Sequence, residues 1–186
     1  MHSNPVTQFI LWQNSINVPD KTAAILSTCT KAGIPSARTV LIKDVNDDGF
    51  TFYTNVNSNK GKNLRENPKA AMVFYWDSKQ VTVRGDVYLA EKEKADAYFN
   101  LRPRRSKAIT ALSKQSQELK DEDLFLKEIQ ELEDSTNEIE RPEHWEGFRL
   151  KPDSMEFFIA DKYRLNKRFL YTLQPDETWK ISRLYP

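Results

Sequence analysis

Between Arg38 and Lys60 the chain runs through an apolar stretch, Thr39-Val40-Leu41-Ile42, then Asn46-Asp47-Asp48-Gly49, then a second apolar stretch, Phe50 to Tyr53, and ends in a basic, polar segment. An Asp-Gly pair between apolar runs signals a hairpin, because glycine accepts the positive φ that such turns demand. Arg38 and Lys43 bracket the first strand. Beyond the second, Ser58, Lys60 and Lys62 stand where a helix could begin, so free backbone N–H groups and lysine charge could converge on a phosphate. A solvated hairpin with surface lysines is the competing reading of the same residues.

The remaining pattern is mixed. Thr7 to Ile16 reads as a short helix and Ala23 to Thr30 as a first strand, with Lys31-Ala32-Gly33-Ile34-Pro35 turning the chain into the hairpin. Ala70 to Trp76 and Gln80 to Leu89 are β-rich and joined by only Asp77-Ser78-Lys79. From Glu91 to about Glu140 the period becomes helical, with a break at Arg102-Pro103. Phe125, Ile129 and Leu132 mark the face that packs. Strand character returns in four runs: Phe148–Leu150, Met155–Ile159, Arg168–Leu173 and Trp179–Leu184. These elements predict an α+β fold, a small antiparallel barrel or sandwich with peripheral helices, as one domain spanning residues 1–186.

Charge is nearly balanced, 28 basic against 27 acidic residues, so any anion site must be local and no nucleic-acid or membrane partner is expected. The longest apolar run, Ala70 to Trp76, is too short to span a bilayer, and a basic start with an apolar core is missing. A cytoplasmic protein is expected. Cys29 has no partner for a disulfide and reads as a small packed residue. With two histidines, His2 and His144, a histidine-based zinc site or triad lacks members, so no metal is expected. The five scattered glycines build neither a dinucleotide fingerprint nor a P-loop. An enzyme of this composition would rely on a bound cofactor.

Besides the hairpin, three clusters have suggestive chemistry. Tyr98, Arg102 and Ser106 recur at i, i+4 and i+8, which on a continuous helix would align a guanidinium fork and two hydroxyls for a phosphate, with Pro103 disturbing that continuity. A basic helix end offsetting its own dipole explains the same residues. Ser113-Lys114-Gln115-Ser116 offers small donors, and Arg164-Leu165-Asn166-Lys167-Arg168 is a cationic run ahead of a strand, of the kind that discourages edge pairing.

In this order the clusters resemble the pyridoxamine 5′-phosphate oxidase family, from about Ala23 to Pro186. The motifs are Arg38-Thr39-Val40-Leu41-Ile42-Lys43, Phe52-Tyr53-Thr54-Asn55, Tyr98-Phe99 with Arg102-Pro103, Ser113-Lys114-Gln115-Ser116, Gly147-Phe148-Arg149, Met155-Glu156-Phe157, Arg164-Leu165 with Arg168, and Arg183-Leu184-Tyr185-Pro186. The resemblance implies a homodimeric split β-barrel that binds FMN between subunits and oxidises a phosphorylated vitamin B6 substrate, pyridoxamine or pyridoxine 5′-phosphate, to pyridoxal 5′-phosphate with O2. It places FMN contacts on Arg38, Thr39, Val40, Leu41, Ile42, Lys43, Tyr53, Thr54, Lys60, Gln80, Gln115, Ser116 and Arg168. It places the substrate phosphate on Lys43, Tyr98, Arg102 and Ser106, and Arg164 over the substrate ring beside Asn166 as the catalytic pair.

The chain departs from the family pattern near that site. Asn59 stands in place of an arginine, Phe158 in place of a tryptophan, Lys107-Ala108-Ile109 in place of Gln-Ile-Gly, and Asn166 in place of a histidine. These departures keep open a related flavin oxidoreductase of the phenazine-pathway type, or a non-catalytic flavin or pyridoxal-phosphate binder.

Overall fold

In the computed structural model, which describes residues 1–186, the period-two patterns become strands with one face buried. In β5 (Lys69–Trp76), Ala70, Met72, Phe74 and Trp76 turn inward while Tyr75 is exposed. All pairings are antiparallel, in the order β2-β1-β5-β6-β7-β4-β3, where β1 is Ala23–Cys29, β2 Pro35–Leu41, β3 Asp44–Asn46, β4 Gly49–Asn55, β6 Lys79–Leu89 and β7 Trp145–Ile159. The two ends of this order meet, because β2 and β3 are successive halves of one bent run. Ile42 N–H donates to the Thr22 carbonyl at 2.9 Å, and Lys43 N–H to the Thr51 carbonyl at 2.8 Å. One half therefore pairs with β1 and the other with β4, and the sheet curls into a barrel. The Asp-Gly hairpin is β3–β4, joined by Asp47-Asp48, rather than a hairpin of the longer 38–43 strand.

Strand β7 is the longest, and its register explains the split shape. Along one edge it pairs with β6 from Phe148 to Ile159. Along the other it pairs first with β4, from Trp145 to Leu150, and then with β8 (Lys167–Leu173), from Ser154 to Ile159. β8 carries β9 (Trp179–Leu184). The sequence reads 148–150 and 155–159 as separate strands, whereas the chain forms one. Pro152 falls at the β6–β7 irregularity, in the gap where the other edge passes from β4 to β8, which is where a missing N–H is tolerated.

Helix α1 (Pro5–Ser15) plugs the barrel. Asn4 caps it by accepting from Val6 and Thr7 N–H, and Phe9 inserts edge-on against Phe50 and Phe74 at 4.9 and 4.7 Å. A second, smaller core forms outside the barrel, where Phe99, Ala108, Ile129, Ile139 and Trp145 join α3 (Lys92–Asn100), α4 (Arg104–Leu112) and α5 (Glu122–Asp134) to the start of β7. Phe125 and Leu132 pack there, as their spacing predicts. Arg104 donates to the Glu133, Leu132 and Asn137 carbonyls at 2.6, 3.2 and 2.8 Å, so a cation covers the negative end of α5. No helix is long and apolar enough to cross a membrane.

The β6–β7 irregularity lies between Arg84 and Gly85, and a Cβ on Gly85 would fall on the Lys151 carbonyl, a backbone group that cannot rotate away. Gly85→Ala should therefore destabilise the protein by about 1–3 kcal/mol, as overpacking does, read as a lower urea midpoint. An unchanged midpoint would mean that the two strands are free to separate at this point.

Candidate functional site

Helix α2 (Asn59–Glu66) starts where the sequence suggests. Ser58 is fully buried, donates to the Asn55 carbonyl at 2.7 Å and accepts from Gly61 N–H at 3.3 Å. This cap turns Lys60 back over the end of β4, where its Nζ donates to Thr54 Oγ1, Gln115 Oε1 and Ser58 Oγ at 3.2, 3.2 and 3.3 Å. Thr54 itself donates to Gln115, and Asn59 N–H donates to Ser116 Oγ, both at 3.3 Å. The loop at 113–116 is thereby drawn onto α2. Arg38 lies close enough for its charge to be felt at Lys60. Burial first, and then Arg38, pull the Lys60 ammonium below the ordinary lysine range. Arg38 donates to the Leu26 carbonyl and Thr28 Oγ1 at 3.1 and 2.9 Å and also to Ser36, and Asn63 braces both hydroxyls at 3.1 Å.

A second pole lies across α3 and α4. The two helices are not continuous, so Tyr98 sits on α3, Arg102 in the intervening turn and Ser106 on the first turn of α4. Tyr53, Tyr98 and Trp145 form one cluster of nearly parallel rings, with Tyr53 at 4.5 Å from Tyr98 and 5.1 Å from Trp145, Tyr98 at 6.1 Å from Trp145, and all planes within 18° of parallel. Gly147 makes that stack possible, because a Cβ there would stand 2.9 Å from the Tyr53 ring. The Arg102 guanidinium lies 5.0 Å from the Trp145 ring, and Lys43 Nζ lies 5.9 Å from that of Tyr98. A cavity of about 280 Å³ is lined by Arg102 and Thr110, by Tyr53 and Trp145, and by Thr54 and Gln115, the two side chains to which Lys60 donates from behind its wall.

The other expected residues fall in different places. Ile42 is buried, Val40 packs on the barrel core, and Thr39, Leu41 and Lys43 are exposed beside them. Gln80 and Arg168 flank Phe158 in one cross-strand row over β6, β7 and β8, on the face of the sheet away from the barrel interior. Arg168 forms a two-point ion pair with Glu156, at 2.7 and 3.1 Å. Arg164 is exposed in the β7–β8 loop with φ +64°, and Asn166 accepts from Asp161 N–H at 3.0 Å, which holds that loop. Within one protomer no hydrogen bond or ion pair links this row and loop to the Lys60 and Arg102 poles. Lys107 rests its ammonium 5.6 Å from the Phe99 ring.

One electrostatic contrast stands out. Arg141, Arg149 and Arg168 each pair with a carboxylate, whereas the partly buried cations Arg38, Lys60 and Arg102 have only neutral oxygen acceptors and aromatic faces. Uncompensated buried charge is unfavourable, and a phosphate monoester supplies what is lacking at both poles. Trp145 and Thr110 also line the cavity but are not apparent from sequence spacing. Trp145 stands two residues before the Gly147-Phe148-Arg149 motif, whereas Thr110 is brought to Arg102 only by the α3–α4 turn.

Comparison with known proteins bears on this geometry. Residues 16–135 match the family described as pyridoxamine 5′-phosphate oxidase, and residues 145–186 the pyridoxine 5′-phosphate oxidase C-terminal dimerisation region. A pyridoxine/pyridoxamine 5′-phosphate oxidase from Wolbachia pipientis wMel is 42% identical over 193 residues, covering 100% of this chain and 89% of the relative. Among solved structures, PhzG from Burkholderia lata 383, in complex with tetrahydrophenazine-1-carboxylic acid, superposes with a TM-score of 0.95 at 29% identity, covering 100% of this chain and 94% of that one. A pyridoxamine 5′-phosphate oxidase-related, FMN-binding protein from Nostoc punctiforme PCC 73102 shares the fold, with a TM-score of 0.78 at 17% identity and full coverage of both chains. With matches across both segments and this identity over its whole length, the chain belongs to the pyridoxamine 5′-phosphate oxidase family.

Proposed function

We propose that this protein is an FMN-dependent oxidase that converts pyridoxamine and pyridoxine 5′-phosphates to pyridoxal 5′-phosphate with O2. The observation that carries this reading is the pair of cationic poles without carboxylates, Arg102 lining an aromatic-walled cavity and Lys60 bonded to Thr54 and Gln115 of the same wall. In this reading each pole has its own ligand. Lys60 and Arg38, with Thr54, Gln115, Ser116 and the first turn of α2, hold the FMN phosphate, and Thr39 to Lys43 and Tyr53 run alongside. Lys43, Tyr98, Arg102 and Ser106 hold the substrate phosphate.

The working unit in this reading is a homodimer of single-domain protomers, 1–186, in the cytoplasm. One sheet runs through both family-matched segments, which favours a single domain. The separation of the Gln80–Arg168 row and the Arg164 loop from the two poles favours a dimer, because a second copy could bring them together, and the C-terminal segment matches a dimerisation region.

FMN held by these residues would supply a two-electron acceptor for the substrate carbon beside the ring, with O2 as final oxidant leaving as H2O2 and, for the amine substrate, water supplying the aldehyde oxygen as ammonia leaves. The protein residues hold both phosphates so that the two rings meet in register, which converts binding into orientation. Arg164 covers the substrate ring. Asn166, whose carbonyl oxygen already accepts from Asp161 N–H, can offer amide N–H groups and one remaining lone pair but cannot carry a proton at neutral pH.

Purified protein supplied with FMN and pyridoxine or pyridoxamine 5′-phosphate should consume O2 and form pyridoxal 5′-phosphate. Flavin binding with turnover only on unphosphorylated substrates would overturn the proposal. Asn166→His should raise turnover, since it restores a titratable group. Equal turnover in the two proteins would remove Asn166 from the chemistry.

The lowered Lys60 pKa gives a pH signature. The ammonium is charged below that pKa and neutral above it, so FMN affinity should be full at lower pH and fall as pH rises through it, before the ordinary lysine range is reached. Fluorescence titration should show Lys60→Arg holding its affinity to higher pH, with riboflavin, which lacks the phosphate, indifferent to the change. Identical FMN profiles for the two proteins would place Lys60 away from the phosphate.

A further inference from the structure

Arg102 lies in a two-helix turn, where no helical backbone fixes its side chain, yet its guanidinium is held in one place. Nη1 is 2.7 Å from Thr110 Oγ1, and Thr110 Oγ1 is 2.8 Å from the Ser106 carbonyl one helical turn earlier. The proton directions follow from chemistry. A carbonyl only accepts and a guanidinium only donates, so the single hydroxyl proton goes to Ser106 and a lone pair of the same oxygen receives Arg102. Thr110 is fixed at its other end too, because its carbonyl lies 3.0 Å from the His144 ring nitrogen. On the far side the guanidinium meets the Trp145 ring at 5.0 Å and the Phe99 ring at 5.9 Å. Trp145 is buried and cannot yield. Thr110 is the only protein group to which the Arg102 guanidinium donates a hydrogen bond, which leaves its other N–H groups for whatever occupies the cavity that both residues line.

We infer that Thr110 is a positioning residue, whose hydroxyl pins the Arg102 guanidinium against Trp145 so that its remaining donors form a preorganised fork for the substrate phosphate. The inference rests on the reading of Arg102 as a phosphate anchor and adds a residue that acts through the Arg102 guanidinium. An arginine side chain loses considerable rotamer freedom on binding, and a neutral acceptor that fixes it beforehand lowers that cost without neutralising its charge.

The test compares Thr110→Val, which keeps the shape and removes the hydroxyl, with Thr110→Ser, which keeps the hydroxyl, in FMN-loaded enzyme. Losing one hydrogen bond of this kind should raise KM for pyridoxine 5′-phosphate, and Kd for pyridoxal 5′-phosphate, about tenfold in Thr110→Val, with kcat and FMN affinity little changed. Thr110→Ser should restore most of the affinity. On an Arg102→Ala background, Thr110→Val should add nothing further, which a merely structural role would not produce. An unchanged Kd in Thr110→Val, or an equal penalty when Arg102 is absent, would overturn the positioning role. If Arg102→Ala itself leaves Kd unchanged, the anchor reading fails and this inference with it. If Arg102→Ala weakens binding and Thr110→Val does not, only the positioning role fails. Should Thr110→Val fold poorly, Thr110→Ala provides the same comparison.

Discussion

The pairing of β7 determines how the molecule is put together. One fifteen-residue strand is held along one edge by β6, while its other edge serves β4 and then β8. The β4 half brings Gly147 opposite Tyr53 and puts Trp145 against α3 and α4, so the aromatic wall of the cavity is a consequence of register. The β8 half carries Phe158 into a row with Gln80 and Arg168 on the sheet's other face. A slip of one residue would exchange inward and outward side chains along the whole strand and break up both groups. The Gly85 close approach and the irregularity beside it oppose such a slip.

The electrostatic design of the cavity follows from what the fold leaves out. Arg38, Lys60 and Arg102 are partly desolvated, which pulls each pKa down, yet each is met only by hydroxyls, amide or peptide oxygens or aromatic faces. Neutral acceptors orient a cation and reduce its desolvation cost, but leave its charge to be felt by a ligand. A carboxylate in the same position would have cancelled it. Where the fold needs rigidity instead, as at Arg141 with Asp96 and Glu146, it supplies the carboxylates.

Much of the fold can be read locally. The Ser58 cap, the break at Pro103 and the packed face of α5 are set by short-range chemistry, and each appears where the sequence puts it. The β7 merger was hidden because Pro152 ordinarily ends a strand, and only the passage of its edge from β4 to β8 excuses it. The site was legible where its residues sit within one motif, as with Ser58 and Lys60. The partnerships of Lys60 with Gln115 and of Arg102 with Thr110 and Trp145 depend on three-dimensional packing that spacing does not encode. The resemblance names Gln80, Arg164 and Arg168 beside the pole residues, but sequence does not show that they lie apart from the poles in one protomer.

If the Lys60 and Arg102 poles bind two separate phosphates, crossed titration shows it most directly. FMN and pyridoxal 5′-phosphate would each be titrated into wild type, Lys60→Ala and Arg102→Ala by calorimetry, the second ligand on FMN-saturated protein. Lys60→Ala should weaken FMN and leave pyridoxal 5′-phosphate nearly unchanged, and Arg102→Ala should do the reverse, each by the loss of a charge-assisted hydrogen bond worth about 1.5–3 kcal/mol. Both variants weakening the same single ligand would contradict the account.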